Sequence, residues 1–343
     1  MKGSSSVNDR LAPLGRTGFE VTRVGLGAWA IGGPWERGWG AQDDRDSVAT
    51  IVHAVESGIN WIDTAAVYGL GHAEEVIADA LDELGGGTER PLVLTKCGRT
   101  EGMGGDGKIG APAVIRQGCE ESLRRLRVEC LDLLQLHYPP ADGTPLELTW
   151  ETMAELQAEG KVAFLGACNC TPEELDRIDA VAPVEVVQPP LSMINRAALE
   201  QVVPWARERG RGVLVYSPMQ SGLLTGGFQS RIGALDADDW RLTDPQFQEP
   251  NLSRNLDLVE RLRPLAERLG ASVSELAIAW TLARPGVTGA IVGARRPDQV
   301  DGWRGATAVA LDTEADAAVS AAIEASGAGW GPVPDLRGVA NAD

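Results

Sequence analysis

Short runs rich in Val, Ile and Leu alternate with longer amphipathic stretches along most of the chain, and few folds accommodate such a pattern. Parallel strands need a crossover long enough to hold a helix, so strand–helix alternation is the signature of a parallel sheet. The runs predict strands at Val24–Gly27, Ile59–Asp63, Leu92–Thr95, Asp132–Leu136, Val162–Gly166, Val184–Gln188, Gly212–Tyr216 and Gly289–Gly293. Apolar spacing between them predicts helices, among them Asp44–Ser57, Ala73–Leu84, Ala113–Arg125, Leu146–Glu159 and Thr171–Ala180. Thr171 precedes Pro172, Glu173 and Glu174, which puts a capping hydroxyl, a first-turn proline and acidic side chains at one helix start. Gly58 and Gly160 fall where a helix ends in a left-handed residue. Eight strands with covering helices in 343 residues favour an α/β fold closed as a (β/α)8 TIM barrel over an open doubly wound sheet.

Two additions frame the barrel. Leu11–Arg23 carries Gly15-Arg16-Thr17-Gly18 between apolar runs and predicts an N-terminal hairpin. The long irregular stretch Ser217–Asn251, rich in Gly, Asp and aromatics, predicts a functional loop at the C-terminal face of the strands. With no internal repeat or linker, residues 1–343 read as one domain, its core at about 11–325 and a Gly- and Pro-rich tail at 326–343. Charge narrows the partners. A net charge of −18 argues against nucleic acid and against an anionic membrane surface. No run approaches the roughly 18 apolar residues of a membrane span, and MKGSSSVNDR is no secretory signal, so a cytoplasmic protein is expected. The five cysteines lack metal-ligand spacing, which predicts reduced thiols and no metal site.

Gly25-Leu26-Gly27-Ala28-Trp29-Ala30 begins like a dinucleotide fingerprint but has Ala30 in place of the third glycine, and it lacks the ribose-binding acid in its usual context. Glycines in a tight strand exit account for it better. A nicotinamide cofactor would then be bound another way.

Chemistry enters at three successive predicted strand ends, which supply Asp63, Tyr68, Lys96 and His137. Taken singly, the Asp could be a helix cap, the Tyr a core residue with a wet edge and the His a satisfied core side chain. Taken together they make a proton-delivery device. Carbonyl reduction by hydride needs a proton for the nascent alkoxide, and Tyr, with an ordinary pKa of about 10, needs help to move one near neutrality. A neighbouring Lys is expected to lower that pKa, an Asp to hold the Lys, and a His to orient the carbonyl oxygen.

This tetrad, in these local sequences, resembles the aldo-keto reductase superfamily, within it the bacterial branch similar to the potassium-channel β subunits. The likeness runs from Leu14-Gly15-Arg16-Thr17-Gly18 to Ile291-Val292-Gly293-Ala294-Arg295 and includes Leu26-Gly27-Ala28-Trp29, Tyr68-Gly69-x-Gly71, Gly166-x-x-Asn169 and Tyr216–Gly226. It implies NADPH/NADP+ bound in extended form across the barrel mouth without a Rossmann fold. By position, Asn169 and Gln188 would hold the nicotinamide carboxamide, Tyr216 would stack on its ring, and Gly27 and Trp29 would border the cofactor. Ser217, Met219 and Ser221 would line the pyrophosphate, and Gly293, Arg295 and Gln299 would surround the 2′-phosphate. Adjacent Arg295 and Arg296 at a helix start favour that phosphate, although a solvated pair of arginines would read the same way.

Three residues depart from the family pattern. Cys168 stands where Ser is usual, which weakens a hydrogen bond to the carboxamide. Leu191 replaces an aromatic and alters the pocket wall. Trp303 replaces an Asn that contacts the adenine, so it either stacks there or belongs to the core. On the substrate side, Trp29, Trp35, Trp39, Tyr138, Phe228, Trp240 and Phe247 sit in loops over the strand ends. They suit a small-molecule carbonyl with an aromatic, apolar or sugar-ring body, unless they pack beneath the loops instead. The main alternative is a slow-turnover, NADP(H)-sensing regulatory subunit like the channel β proteins. Those relatives carry Asn where this chain has His137, which favours the enzyme.

Overall fold

The computed structural model describes residues 11–35, 37–85, 89–100, 107–236 and 239–329. Strands β1 (Leu11–Pro13) and β2 (Glu20–Thr22) form the N-terminal hairpin, with Ala12 opposite Val21. Eight parallel strands follow: β3 (Val24–Gly27), β4 (Trp61–Asp63), β5 (Leu92–Cys97), β6 (Leu131–Leu136), β7 (Val162–Cys168), β8 (Val186–Gln188), β9 (Gly212–Val215) and β10 (Gly289–Gly293). They close in the order β10-β3-β4-β5-β6-β7-β8-β9, with β10 pairing to both β3 and β9. This is the (β/α)8 barrel that the alternation predicts.

Strand ends differ from expectation where another bond claims the backbone. Ile59 N–H bonds to Ala54 O (3.2 Å) behind the preceding helix, and Asn60 Oδ1 accepts from Thr22 N–H (2.8 Å), so β4 begins only at Trp61. Helices α1 (Asp44–Glu56), α2 (His72–Leu84), α3 (Pro112–Leu126), α4 (Leu146–Ala158) and α5 (Pro172–Asp179) lie within a residue or so of their predicted spans. At α5, Glu174 N–H donates to Thr171 Oγ1 (3.3 Å) and Thr171 N–H donates to the Glu174 carboxylate (2.8 Å), a reciprocal cap. Gly58 and Gly160 take φ of 95° and 79°, as helix ends require. Helices α6 (Val202–Glu208), α7 (Asn251–Arg268), α8 (Val273–Leu282), α9 (Pro297–Asp301) and α10 (Thr313–Ser326) continue the outer layer. Among the described residues no helix is long and apolar enough to cross a membrane. Ser326 ends α10, and residues 330–343 of the expected tail lie outside the described residues.

Two apolar cores result. One lies between sheet and helices. The other fills the barrel, where Trp61, Leu94, Leu133, Val186, Leu214 and Ile291 meet Leu14 and Val21 of the hairpin. The hairpin thus closes the N-terminal end of the barrel, and Trp61 Nε1 pins it there by donating to Thr22 O (2.8 Å). A Cβ on Gly25 would lie 2.2 Å from the Trp61 ring, so that glycine makes room for an indole. The glycine pair at the start of the chain therefore serves the packing of a strand, as its incomplete motif suggests.

Candidate active site

Side chains two positions apart on a strand share a face. Asp63, Lys96, Gln135 and Gln188 each stand two residues beyond a lumen-filling Trp61, Leu94, Leu133 or Val186, so they form the next layer up, at the C-terminal end. Lys96 Nζ donates to Asp63 Oδ1 (2.5 Å) and to Thr64 O (2.9 Å). The other Asp63 oxygen accepts from Gln188 Nε2 (2.7 Å) and Gln135 Nε2 (3.3 Å). Gln188 also donates to Gln135 Oε1 (3.0 Å), toward which Cys168 Sγ points (3.7 Å). The ion pair is 2% and 4% exposed, and such a pair persists only when its remaining polar valences are met, as they are here. Gln135 does not figure among the residues expected from sequence, yet it braces the carboxylate. Its signal was the same alternation: a polar residue in Leu131–Leu136 two positions after Leu133.

Tyr68 reaches this layer from the loop after β4. Its hydroxyl lies 3.5 Å from Lys96 Nζ, and the ammonium stands 5.2 Å from its ring centroid. The turn behind it is left-handed at Gly69, Leu70 and Gly71, and a Cβ on Gly69 would lie 2.0 Å from Gly32 O. His137, buried past the end of β6, presents its ring edge-on to Tyr68 at 5.9 Å. The four residues expected to work together are brought together from three successive strand ends. Burial works against the charge on Lys96, but Asp63, with Tyr68 beside it, holds that pKa above its ordinary value. Burial, then Lys96 and Arg99, pushes His137 well below its ordinary value, so the imidazole is neutral near pH 7.

Tyr68 corrects one expectation. Burial pushes its pKa up to about 12, and the opposing pull of Lys96 does not overcome this. The residue is therefore a fully protonated phenol at neutral pH rather than an acidified one.

Above the tetrad opens a cavity of about 850 Å³, bordered by Asp63, Tyr68 and His137 and by most of the loop residues expected around it, with Lys96 beneath it. Trp29 packs against Trp39 (5.4 Å) and Trp240 (5.6 Å), Trp35 faces Tyr68 (5.9 Å), and Tyr138 stacks on His137 (5.0 Å, 18°). Phe247 is the exception. It is 6% exposed and sits in the core behind Phe228 and Trp240.

Apart from Gly27 and Trp29 at the end of β3, the residues matched to a cofactor lie on the β7–β10 side. Asn169 Nδ2 donates to His137 O (2.9 Å), and Asn169 Oδ1 accepts from Tyr216 OH (2.7 Å), so this amide orients two neighbours as well as facing the cavity. Asn169, Ser217, Gln220 and Ser221 all take positive φ, between 46° and 57°. Non-glycine residues seldom do so, and such clusters mark sites where backbone N–H groups are turned toward a ligand. A strained polar rim of this kind on a cavity of that size suits a ligand with phosphate groups.

Arg295 has a second occupation. Its Nε donates to Gln42 Oε1 (2.6 Å) and its Nη atoms donate to the carbonyls of Trp39 (3.0 Å) and Ala41. Gln299 Oε1 accepts from its N–H (2.7 Å), and Arg296 pairs with Asp298 (3.0 Å). The first loop is thereby tied across the barrel mouth. The helix expected to aid phosphate binding, α9, is only 5 residues long. Two departures from the family pattern also resolve. Leu191 is fully buried in the outer core and does not form the pocket wall, since its N–H follows Tyr216 O (3.1 Å) into the sheet margin. Trp303 is 3% exposed and belongs to that core, although one edge borders the cavity.

Comparison with known proteins decides the family: the model described as Aldo/keto reductase family matches residues 23–324. The chain belongs to it. It is similar to the aldo-keto reductase YhdN of Bacillus subtilis, with 36% identity over 90% of this chain and 92% of that protein. It is also similar to a protein of Escherichia coli named NADH-specific methylglyoxal reductase, 33% identical over 84% of this chain and 90% of that one. Among solved structures it resembles the glycerol dehydrogenase AKR11B4 from Gluconobacter oxydans, with TM-score 0.83, 37% identity and coverage of 93% and 96%. For this family member the tetrad, the neutral His137 and the cavity above them suit reduction of a small carbonyl compound.

Proposed function

We propose that this chain reduces an aldehyde or ketone to the alcohol with a nicotinamide cofactor, Tyr68 donating the proton. The observation that carries the proposal is the Tyr68 hydroxyl set 3.5 Å from a buried lysine that is itself held by Asp63, at the floor of the cavity. The cofactor, when bound, supplies the hydride. The phenol supplies the proton, Lys96 stabilises the phenolate left behind, and neutral His137 can donate a hydrogen bond to the carbonyl oxygen. Asn169, Gln188, Tyr216 and the Ser217–Ser221 backbone would hold the nicotinamide half, with Gly27 and Trp29 alongside.

Screening aldehydes, ketones and keto-sugars for consumption of reduced cofactor tests the reading. The cavity's aromatic walls, Trp29, Trp35 and Tyr138, suit a substrate with an aromatic or sugar-ring body. Better turnover of small polar aldehydes than of aromatic carbonyls would remove that part.

The protonation of Tyr68 sets a pH signature. With a pKa of about 12 the phenol is a filled proton donor across the neutral range, so the rate of reduction stays flat from about pH 6 to 9. Alcohol oxidation needs the phenolate and rises with pH over the same interval. A fall in reduction centred near neutrality would contradict this assignment.

The cofactor reading is NADP(H), with the phosphate on Arg295, Arg296 and Gln299. Arg295 would then exchange the carbonyls of Trp39 and Ala41 for phosphate oxygens, a charge-assisted replacement. Arg295→Ala is expected to weaken NADPH binding by about tenfold or more while NADH changes less. Equal losses, measured by fluorescence titration, would assign Arg295 to the loop tie alone.

A further inference from the structure

The cavity wall opposite the cofactor side carries a positive charge that the tetrad does not use. Arg99 follows β5 on a narrow two-stranded finger, where Thr100 N–H bonds to Gly107 O (2.9 Å) and Ile109 N–H bonds to Gly98 O (3.0 Å). From this finger Arg99 and Lys108 both lie over the ring of Tyr138, at 5.4 and 5.1 Å. Tyr138 in turn stacks on His137. Arg99 and Tyr138 line the cavity, and Arg37 stands exposed at the same rim.

In a chain with 49 acidic residues against 31 basic ones, a carboxylate is seldom far from any arginine. Among the described residues no carboxylate or carbonyl partners the guanidinium of Arg99, which is withdrawn from full solvent exposure. Other arginines without such partners, Arg37 and Arg124 among them, are exposed. A half-buried, unpaired guanidinium bears a desolvation cost that an incoming anion removes. The barrel order says which anion. Strands β5 and β6, which carry Arg99 and Tyr138, stand diametrically across the barrel from β9 and β10, whose loops are matched to the cofactor's phosphates. An anion at Arg99 therefore belongs to the substrate.

We propose that the carbonyl compound reduced here is itself an anion, its carboxylate or phosphate held by Arg99 and the Tyr138 hydroxyl while its carbonyl lies between Tyr68 and His137. This rests on the carbonyl-reductase reading above and narrows its substrate class to keto or aldehyde acids and their phosphate counterparts. Arg99 acts as a specificity residue and takes no part in proton transfer.

Two readouts test this, one independent of turnover. Trp29, Trp35 and Trp39 border the cavity, so intrinsic fluorescence reports binding of unreactive probes. Benzoate is expected to bind about tenfold or more tightly than neutral benzamide, and Arg99→Ala to abolish the difference while Arg124→Ala, on the exposed face of α3, preserves it. Phenyl phosphate against benzoate tells which oxyanion the corner prefers. In turnover, terephthalaldehydic acid should exceed its methyl ester in kcat/KM by about tenfold, chiefly through KM, and Arg99→Ala should bring the ratio toward unity. Equal binding of benzoate and benzamide, or a preference that survives Arg99→Ala, overturns the proposal. Benzoate discrimination with no reduction of any carbonyl supports the anion corner and overturns the reductase reading instead.

Discussion

Tyr68→Phe is expected to lower kcat for carbonyl reduction by about 10²–10⁴-fold, while cofactor affinity stays within about twofold of wild type. The variant keeps the ring that faces Trp35 and His137 and removes only the hydroxyl beside Lys96. The residues matched to the cofactor, on β7 to β10 and at Gly27 and Trp29 by β3, make no hydrogen bond to the Tyr68 hydroxyl, so none of theirs is lost. What disappears is the proton, and no other group can supply it. Lys96 is engaged with Asp63 and Thr64 and held above its ordinary pKa, and His137 is held neutral. Stopped-flow oxidation of bound reduced cofactor by a carbonyl compound isolates the chemical step from release. Retention of most of that rate would take Tyr68 out of its role and leave a solvent-borne proton as the donor.

Much of this site is legible in the sequence, and the reason is geometric. A period of two along a strand is a strong constraint, and in Trp61-Ile62-Asp63 and Leu94-Thr95-Lys96 it puts an apolar lumen residue and a catalytic one on the same face. The same rule would have yielded Gln135 from Leu133-Leu134-Gln135, a residue hidden by its neighbour His137, whose chemistry draws the eye first. What the sequence did not show depends on contacts between distant segments. Arg295 meets Trp39, Ala41 and Gln42 across more than 250 positions of chain, so no local pattern reveals that its guanidinium holds a loop. Phe247 reads as a pocket residue because it is an aromatic of the long loop, and Leu191 because the family pattern places an aromatic there; in the folded barrel both side chains turn into the core while their neighbours Gln246 and Pro190 face the cavity. The pKa of Tyr68 departs from expectation for a related cause. The nearby Lys is visible in sequence order, whereas the extent of burial that outweighs it is a property of the assembled barrel.

Asp63→Asn is expected to cost about 3–5 kcal/mol of stability at neutral pH, because it leaves the Lys96 ammonium buried without its counter-ion. The new amide must also present its NH₂ to Lys96 or to the donors of Gln188 and Gln135, so at least one buried donor loses its acceptor. The pH dependence separates charge from packing. In the wild type the Lys96 pKa is raised in the folded state, so its stabilising contribution is complete below the ordinary lysine pKa of about 10.4 and is lost as pH rises through the folded value. In the variant the largest opposing charge is gone, and burial, the largest influence on Lys96, drives the folded pKa below the ordinary one. The folded lysine then sheds its proton sooner than the unfolded one, and the deficit shrinks as pH rises. Urea midpoints of wild type and Asp63→Asn should therefore converge between about pH 7 and 10. A gap constant with pH would mean that the loss is one of packing and hydrogen bonding alone. The double variant Asp63→Leu/Lys96→Met removes both charges and should recover much of the stability without recovering turnover. That combination, a stable barrel with no reduction, is the result that would show the buried pair to be retained for its chemistry.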